Sequence, residues 1–205
     1  MSSYSNKLFD KILTLNDVST SNLEDEIWRE FGCDRAVVVI DSTGFTRITK
    51  SHGIVHYLKL LAQIRQTLGP ILDAQGSLRT RMEADNIYAE YESVEQAFAA
   101  VVEANKTLDE VSVQLTETEK FGICTGIGFG RMLDSGHEGL YGAQMNLASK
   151  LGEDTAESGE VLLTEEAWNE LPKHLKALFD RCDQLISGNH IPYFSMQALG
   201  AGHET

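Results

Sequence analysis

The sequence predicts one mixed domain, α/β or α+β, with helices packed against a single sheet. Three observations predict it. The uninterrupted apolar run Ala36 to Ile40 has the length and β-branched content of a strand buried on both faces. Helical periodicity over residues 47–73 and then a hairpin pattern come after it. From there strand and helix patterns keep interleaving to the end of the chain. At 205 residues, 42% of them apolar, the chain suffices for one sizeable core with appendages.

Taken in order, residues 1–20 carry Leu8, Phe9, Ile12 and Leu13 at helical spacing, which predicts a short amphipathic helix. Ser21-Asn-Leu-Glu24 reads as a capping box opening a second helix, stopped by Gly32, with Trp28 and Phe31 on one face. These two elements read as a docking arm and dimer contact, or as a frayed tail. Ile54, Tyr57, Leu58, Leu61, Ile64 and Leu68 then mark the helix over 47–73, which Gly69-Pro70 should break or kink. Ser77–Glu83 and Ile87–Tyr91 form the hairpin, turning at Asp85-Asn86. Ser93-Val-Glu-Gln96 caps a helix through Ala97, Val101, Ala104 and Leu108. Lys120–Phe129 reads as a second buried strand, with glycines at 122, 126, 128 and 130 in and beside it, and residues 130–142 as a polar loop or ribbon. A helix from Ala143 to Glu153, a strand over Gly159–Thr164 and a helix from Glu165 to Leu178 interrupted at Pro172 follow. A last hairpin turns at Ser187-Gly-Asn189.

The net charge of -14 argues against nonspecific binding to nucleic acid or an anionic membrane, although metal ions could hold a nucleotide locally. Cys33, Cys124 and Cys182 are widely spaced and odd in number, which suits a reducing compartment rather than a disulfide framework. With neither a signal pattern nor an apolar run near ~18 residues, the expectation is a soluble cytoplasmic protein with no membrane partner.

Candidate chemistry gathers in three places. Asp41 ends the first buried strand, before two hydroxyls and Gly44; it reads either as a helix cap or as an acid beside an anion-binding turn. Asp85 ends a strand in the hairpin, where a plain turn aspartate is the simpler reading. If the two carboxylates meet within about 4 Å, their repulsion is on the order of 4 kcal/mol at an effective dielectric near 20. A divalent cation removes that cost, and oxygen-only ligands suit Mg²⁺ or Mn²⁺. Asn146 and Lys150, four apart, share a helix face that could hold a sugar and a phosphate, or simply be solvated. Arg79 and Arg81 share a strand face and read as base or phosphate contacts, or as a soluble outer surface. The motifs GxxxxGK[ST] and HExxH are absent, and Gly126-Ile-Gly-Phe-Gly130 has the wrong spacing for a dinucleotide fingerprint.

Five segments in order resemble the class III nucleotidyl cyclase catalytic domain, the adenylate/guanylate cyclase family, from about residue 35 to 198. Val37-Val-Val-Ile-Asp41-Ser-Thr-Gly44-Phe45-Thr46 resembles its opening strand, first metal aspartate and Gly-Phe-Thr turn. Arg81-Met-Glu-Ala-Asp85 is similar to the hairpin with the second metal aspartate, with Ala84 where a glycine is usual. Phe121 to Gly126, Tyr141 to Leu151 and Gly159 to Leu163 resemble the strand, the Gly-x-x-x-Asn-x-Ala-x-Arg helix and the strand after it.

The resemblance implies an α+β, ferredoxin-like sheet flanked by helices, paired as a head-to-tail homodimer with sites between protomers. It divides the chain into an N-terminal helical arm (1–33), a catalytic domain (34–199) and a C-terminal tail (200–205). The reaction implied is attack of a ribose 3′-hydroxyl on the α-phosphorus of a nucleoside triphosphate, giving a 3′,5′-cyclic nucleotide and pyrophosphate. Asp41, Ser42 and Asp85 would hold two Mg²⁺ or Mn²⁺ ions; Phe45, Thr46, Arg81 and Arg131 would contact substrate; Asn146 and Lys150 of the other protomer would be catalytic.

The chain departs from the family where Lys150 replaces the transition-state arginine, and where Arg81 and Gly139 replace the base-selecting pair. The family's triphosphate-binding lysine has no counterpart in Ser187-Gly-Asn-His190. With the purine selectors replaced, a pyrimidine nucleotide is a candidate substrate, as in the bacterial pyrimidine cyclases of antiphage signalling. The competing reading is a cyclase-like module that binds nucleotide and turns over little.

Overall fold

The computed structural model describes residues 6–14, 20–115, 120–186 and 189–196. Two helices, α1 (Lys7–Thr14) and α2 (Thr20–Phe31), lead into the long strand β1 (Gly32–Ser42). Next come α3 (Phe45–His52), α4 (Ile54–Ala74), the hairpin β2 (Arg79–Glu83) and β3 (Asn86–Tyr91), α5 (Val94–Val111) and β4 (Ile123–Asp134). This β-α-β-β-α-β run lies in the sheet order β2-β3-β1-β4, antiparallel throughout, which is the ferredoxin-like split βαβ arrangement. The second half adds β5 (Leu140–Tyr141), α6 (Ala143–Ser149) with a π turn (Lys150–Thr155), β6 (Val161–Thr164), α7 (Glu165–Glu170), α8 (Lys173–Lys176), β7 (Asp180–Ile186) and β8 (Asn189–Met196). β6 joins β4 in parallel and the β7–β8 hairpin extends the sheet beyond it. No described helix is long and apolar enough to cross a membrane.

Alternation along β1 sorts the interior into two layers. Ala36, Val38 and Ile40 face α3, α4, α5 and α7 in the main core, with Ile48, Tyr57, Ile64 and Leu68 fully buried there. Val37 and Val39 point to the opposite face and pack with Met132, Leu140 and Ala148 beneath α6. That second face takes a helix only because β4 offers no side chains to it at two positions. A Cβ on Gly126 would lie 2.0 Å from the carbonyl oxygen of Ala148, and one on Gly128 would lie 2.6 Å from that of Gln144. Gln144, itself buried, accepts a hydrogen bond from Thr164 at 2.8 Å and ties α6 to β6.

Several expectations needed correction. The helix over 47–73 is broken at Gly53 (φ +85), not at Gly69-Pro70. Pro70 and Gln66, whose carbonyl the proline leaves unpaired, are both exposed, so water can satisfy that oxygen and α4 runs on. In the β2–β3 turn the left-handed residue is Ala84 (φ 48), neither Asp85 nor Asn86. Of the loop or ribbon expected after Phe129, the ribbon is found as far as Asp134, because Gly32–Arg35 extends β1 alongside it. The helix from Ala143 turns from α to π geometry at Lys150. The turn expected at 187–188 and the tail from 197 lie outside the described residues.

Candidate active site

Asp41 is the penultimate residue of β1, opposite Cys124 of β4. Gly44 takes the N-cap position of α3 with no side-chain bond, so Asp41 does not cap that helix. Its Oδ1 instead accepts the Ser42 N–H at 2.8 Å. Asp85, presented by the Ala84 turn, lines the same cavity of about 400 Å³ together with Ser42, Phe45, Thr46 and Arg47. Burial raises the Asp41 carboxyl to about 6, the negative charge of Asp85 pushes the same way, and the Ser42 N–H opposes both. The two predicted acids therefore converge, and they repel. Glu153 and Asp154 on the π turn add to the negative field at Asp41.

The remaining residues of this half are ordered from below. The Ser42 hydroxyl is hydrogen-bonded to Tyr57 Oη in the core, and Phe45 sets its ring edge-on to Tyr57 at 5.0 Å. With its hydroxyl shared with Tyr57 in the core, Ser42 would serve a cation through its backbone oxygen. Among the described residues no three His, Cys, Asp or Glu are arranged to hold a metal ion. Two carboxylates with space around them suit a hard cation that keeps water or phosphate oxygens as its other ligands. The donor set fits Mg²⁺ or Mn²⁺ in that sense.

A second cavity, about 620 Å³, opens over β2 and the start of α6 and is lined by Arg81, Tyr88, Glu138, Tyr141, Met145 and Asn146 among others. Arg81 pairs with Glu83 through Nη1 and lies over the Tyr88 ring, 5.1 Å from its centroid. Its Nε is buried with no partner. The guanidinium covers Gly139: a Cβ there would sit 2.4 Å from Nη2. Glu153 reaches Tyr88 Oη at 3.5 Å, so this acid is felt on both sides.

The predicted residues thus fall into two groups within one chain. Asp41, Ser42, Asp85, Phe45 and Thr46 share the first cavity; Arg81 and Asn146 share the second. Lys150 opens the π turn one helical turn beyond Asn146 and lines neither cavity. Arg131 lies apart from both, stacked on the Trp28 ring of α2 at 4.6 Å. Arg79 is spent on structure, bonding Glu90 at 2.7 and 2.6 Å and Asp134 at 2.9 Å. Sequence reasoning missed Arg47 and Tyr88; the only signal for Arg47 was a cation directly after the Gly-Phe-Thr turn.

No model of a known protein family matches the chain, and neither does any curated protein sequence. Solved structures do. The catalytic core of a rhodopsin-guanylyl cyclase with converted specificity, in complex with ATPalphaS, matches with a TM-score of 0.67 at 14% identity, over 82% of this chain and 97% of that one. The guanylate cyclase domain of RhGC from Catenaria anguillulae, in complex with GTP, matches at 0.65 and 15% identity, over 80% and 96%. An adenylate cyclase from Trypanosoma brucei, in its monomeric state, matches at 0.63 and 14% identity, over 79% and 87%. The fold is that of adenylate and guanylate cyclase catalytic domains, as the resemblance implied.

Proposed function

We propose that this chain is a nucleotidyl cyclase that works as a head-to-tail homodimer, with residues 34–199 as its catalytic domain. The observation that carries the reading is the division of the predicted residues between two cavities. Neither cavity alone holds both the paired acids and Asn146. A second copy, turned by a twofold axis, can set the acid cavity of one protomer against the Asn146 cavity of the other and complete two equivalent sites.

In that assembly Asp41 and Asp85, with the Ser42 backbone, hold the cations. When bound, a pair of Mg²⁺ or Mn²⁺ ions activates the attacking hydroxyl and offsets charge on the phosphates and leaving group. Thr46 and Arg47 beside the acids supply a hydroxyl and a cation to the polyphosphate. Asn146 of the partner protomer fixes the ribose through its amide, aiming the 3′-oxygen at the α-phosphorus. The 3′-hydroxyl gives up its proton to water as the 3′-O–P bond forms; the bond to the pyrophosphate oxygen breaks, and pyrophosphate leaves as the anion. Lys150 brings positive charge to the phosphorus in the transition state, as a point charge without the guanidinium fork.

Base choice falls to Arg81. Arg81 lines the Asn146 cavity and its guanidinium carries donors only, so it suits the carbonyl acceptors of uracil, cytosine or guanine. Pyrimidine triphosphates stand first because Arg81 and Gly139 replace the purine-selecting pair, and a second-messenger role, antiphage signalling included, is part of the same proposal. The position of Lys150 outside both cavities favours the second reading, a nucleotide-binding module with little turnover.

The experiment is direct. Purified protein with Mn²⁺ is offered ATP, GTP, CTP and UTP separately, and cyclic product and pyrophosphate are both measured. Conversion of at least one, abolished in Asp41→Ala, is the expected result. Binding of nucleotide with no product from any of the four would leave the binding module as the function.

A further inference from the structure

We propose that the N-terminal arm is part of the base-binding apparatus: Phe9 of α1 is a positioning residue that holds Tyr141, and with it one wall of the Arg81 cavity. This rests on the cyclase reading of that cavity. Tyr141 sits on β5, a two-residue strand that leaves the main strand path and pairs only with the end of β4, Leu133 opposite Tyr141 and Asp134 opposite Leu140. Leu140 is buried beneath it, but Tyr141 is 43% exposed and its hydroxyl bonds Glu138 of the same loop at 3.1 Å. Among the described residues the ring contact to Tyr141 from outside that loop is Phe9, edge-on at 5.5 Å with an interplanar angle of 64°.

The arm has the anchorage such a contact needs. Asn6 caps α1 by accepting the Leu8 N–H at 3.0 Å, and Leu8 is fully buried. Lys11 bridges Glu26 and Glu30 of α2 at 2.6 and 3.2 Å. In turn α2 is fixed by buried Ile27 and by Trp28, whose ring carries the Arg131 guanidinium of β4. The arm therefore grips the end of β4 twice, at Arg131 through Trp28 and beside Leu133 through Tyr141. The stretch from Gly139 to Asn146 that borders the cavity runs through the second grip.

An edge-to-face aromatic contact of this kind corresponds to about a two- to tenfold change in an equilibrium constant. Wild type, Phe9→Ala, Phe9→Tyr and the exposed control Lys7→Ala are titrated with the triphosphate that the wild type prefers, for turnover and for equilibrium binding. Phe9→Ala should raise KM and Kd about two- to tenfold with kcat retained. Phe9→Tyr should restore both, and Lys7→Ala should match wild type. Unchanged binding in Phe9→Ala, a fall in kcat alone, or an equal shift in Lys7→Ala would overturn the proposal. Silence from the wild type with all four triphosphates would instead sink the cyclase reading, while the binding titration still decides the Phe9 contact.

Discussion

The guanidinium of Arg81 occupies the space a side chain at Gly139 would need, its Nη2 lying 2.4 Å from where a Cβ would be built. The two positions are one device: a residue with donors lies flat because its neighbour has no side chain. Gly139 also holds φ 95, which only glycine adopts without strain. Gly139→Ala should therefore cost about 1–3 kcal/mol of stability through backbone strain and, by pushing Arg81 aside, weaken triphosphate binding as well. Urea melts and nucleotide titrations on the same variant separate the two effects. Arg81→Lys, which keeps charge and loses both the fork and the stacking on Tyr88, should flatten the preference among the four triphosphates.

Asp41 ties stability to pH in the metal-free protein. Its folded carboxyl titrates at about 6 against an ordinary 3.8, so the folded state holds this proton more tightly than the unfolded chain does. The stabilisation is complete below 3.8 and is lost as pH rises through about 6. Because the group is only half-buried, solvent screening leaves an effect on the order of 1 kcal/mol. Denaturant melts between pH 4 and 7 should show that loss in wild type and not in Asp41→Asn. Added Mn²⁺ at pH 7 should recover the stability in wild type alone.

How much of this was legible beforehand differs by residue. The split βαβ core was readable because Ala36 to Ile40 and the periodic helices around it carry their burial in their residue types. Asp41 stood out because it ends an apolar strand, whereas Asp85 read locally as a turn aspartate and gained its pairing with Asp41 only from the order of the five family-like segments. The length of β4 was not, since its polar end from Gly130 to Asp134 is strand only by pairing with Gly32–Arg35. The helix break fell at Gly53 rather than Pro70 for a similar reason: which carbonyl faces water is a tertiary fact. Arg131 looked like a substrate cation in sequence and is held by Trp28, a partner 103 positions away that no local pattern announces.

The glycines of β4 let α6 lie directly against the strand. Gly126→Ala drives a methyl group into the α6 backbone at the Ala148 carbonyl, where no rotamer can relieve it. Displacing α6 would also break the buried Gln144–Thr164 bond. Overpacking of this kind costs about 1–3 kcal/mol, and the lost bond adds about 1 kcal/mol. Chemical denaturation should place Gly126→Ala 2–4 kcal/mol below wild type, about the sum of those two costs. A change under about 0.5 kcal/mol, typical of neutral surface substitutions, would show that α6 does not lie against the strand as described.

The head-to-tail pairing has a consequence that neither cavity has by itself. Asp41→Ala and Asn146→Ala should each be inactive alone, since each empties one half of both sites. Mixed and allowed to exchange, the two proteins form heterodimers in which one site collects both defects and the other collects none. Random exchange of equal amounts makes half the dimers mixed, with one intact site of two, so activity should return to about a quarter of wild type. A pairing that kept each site within one protomer would return nothing at any mixing ratio, and the measured fraction decides between the two.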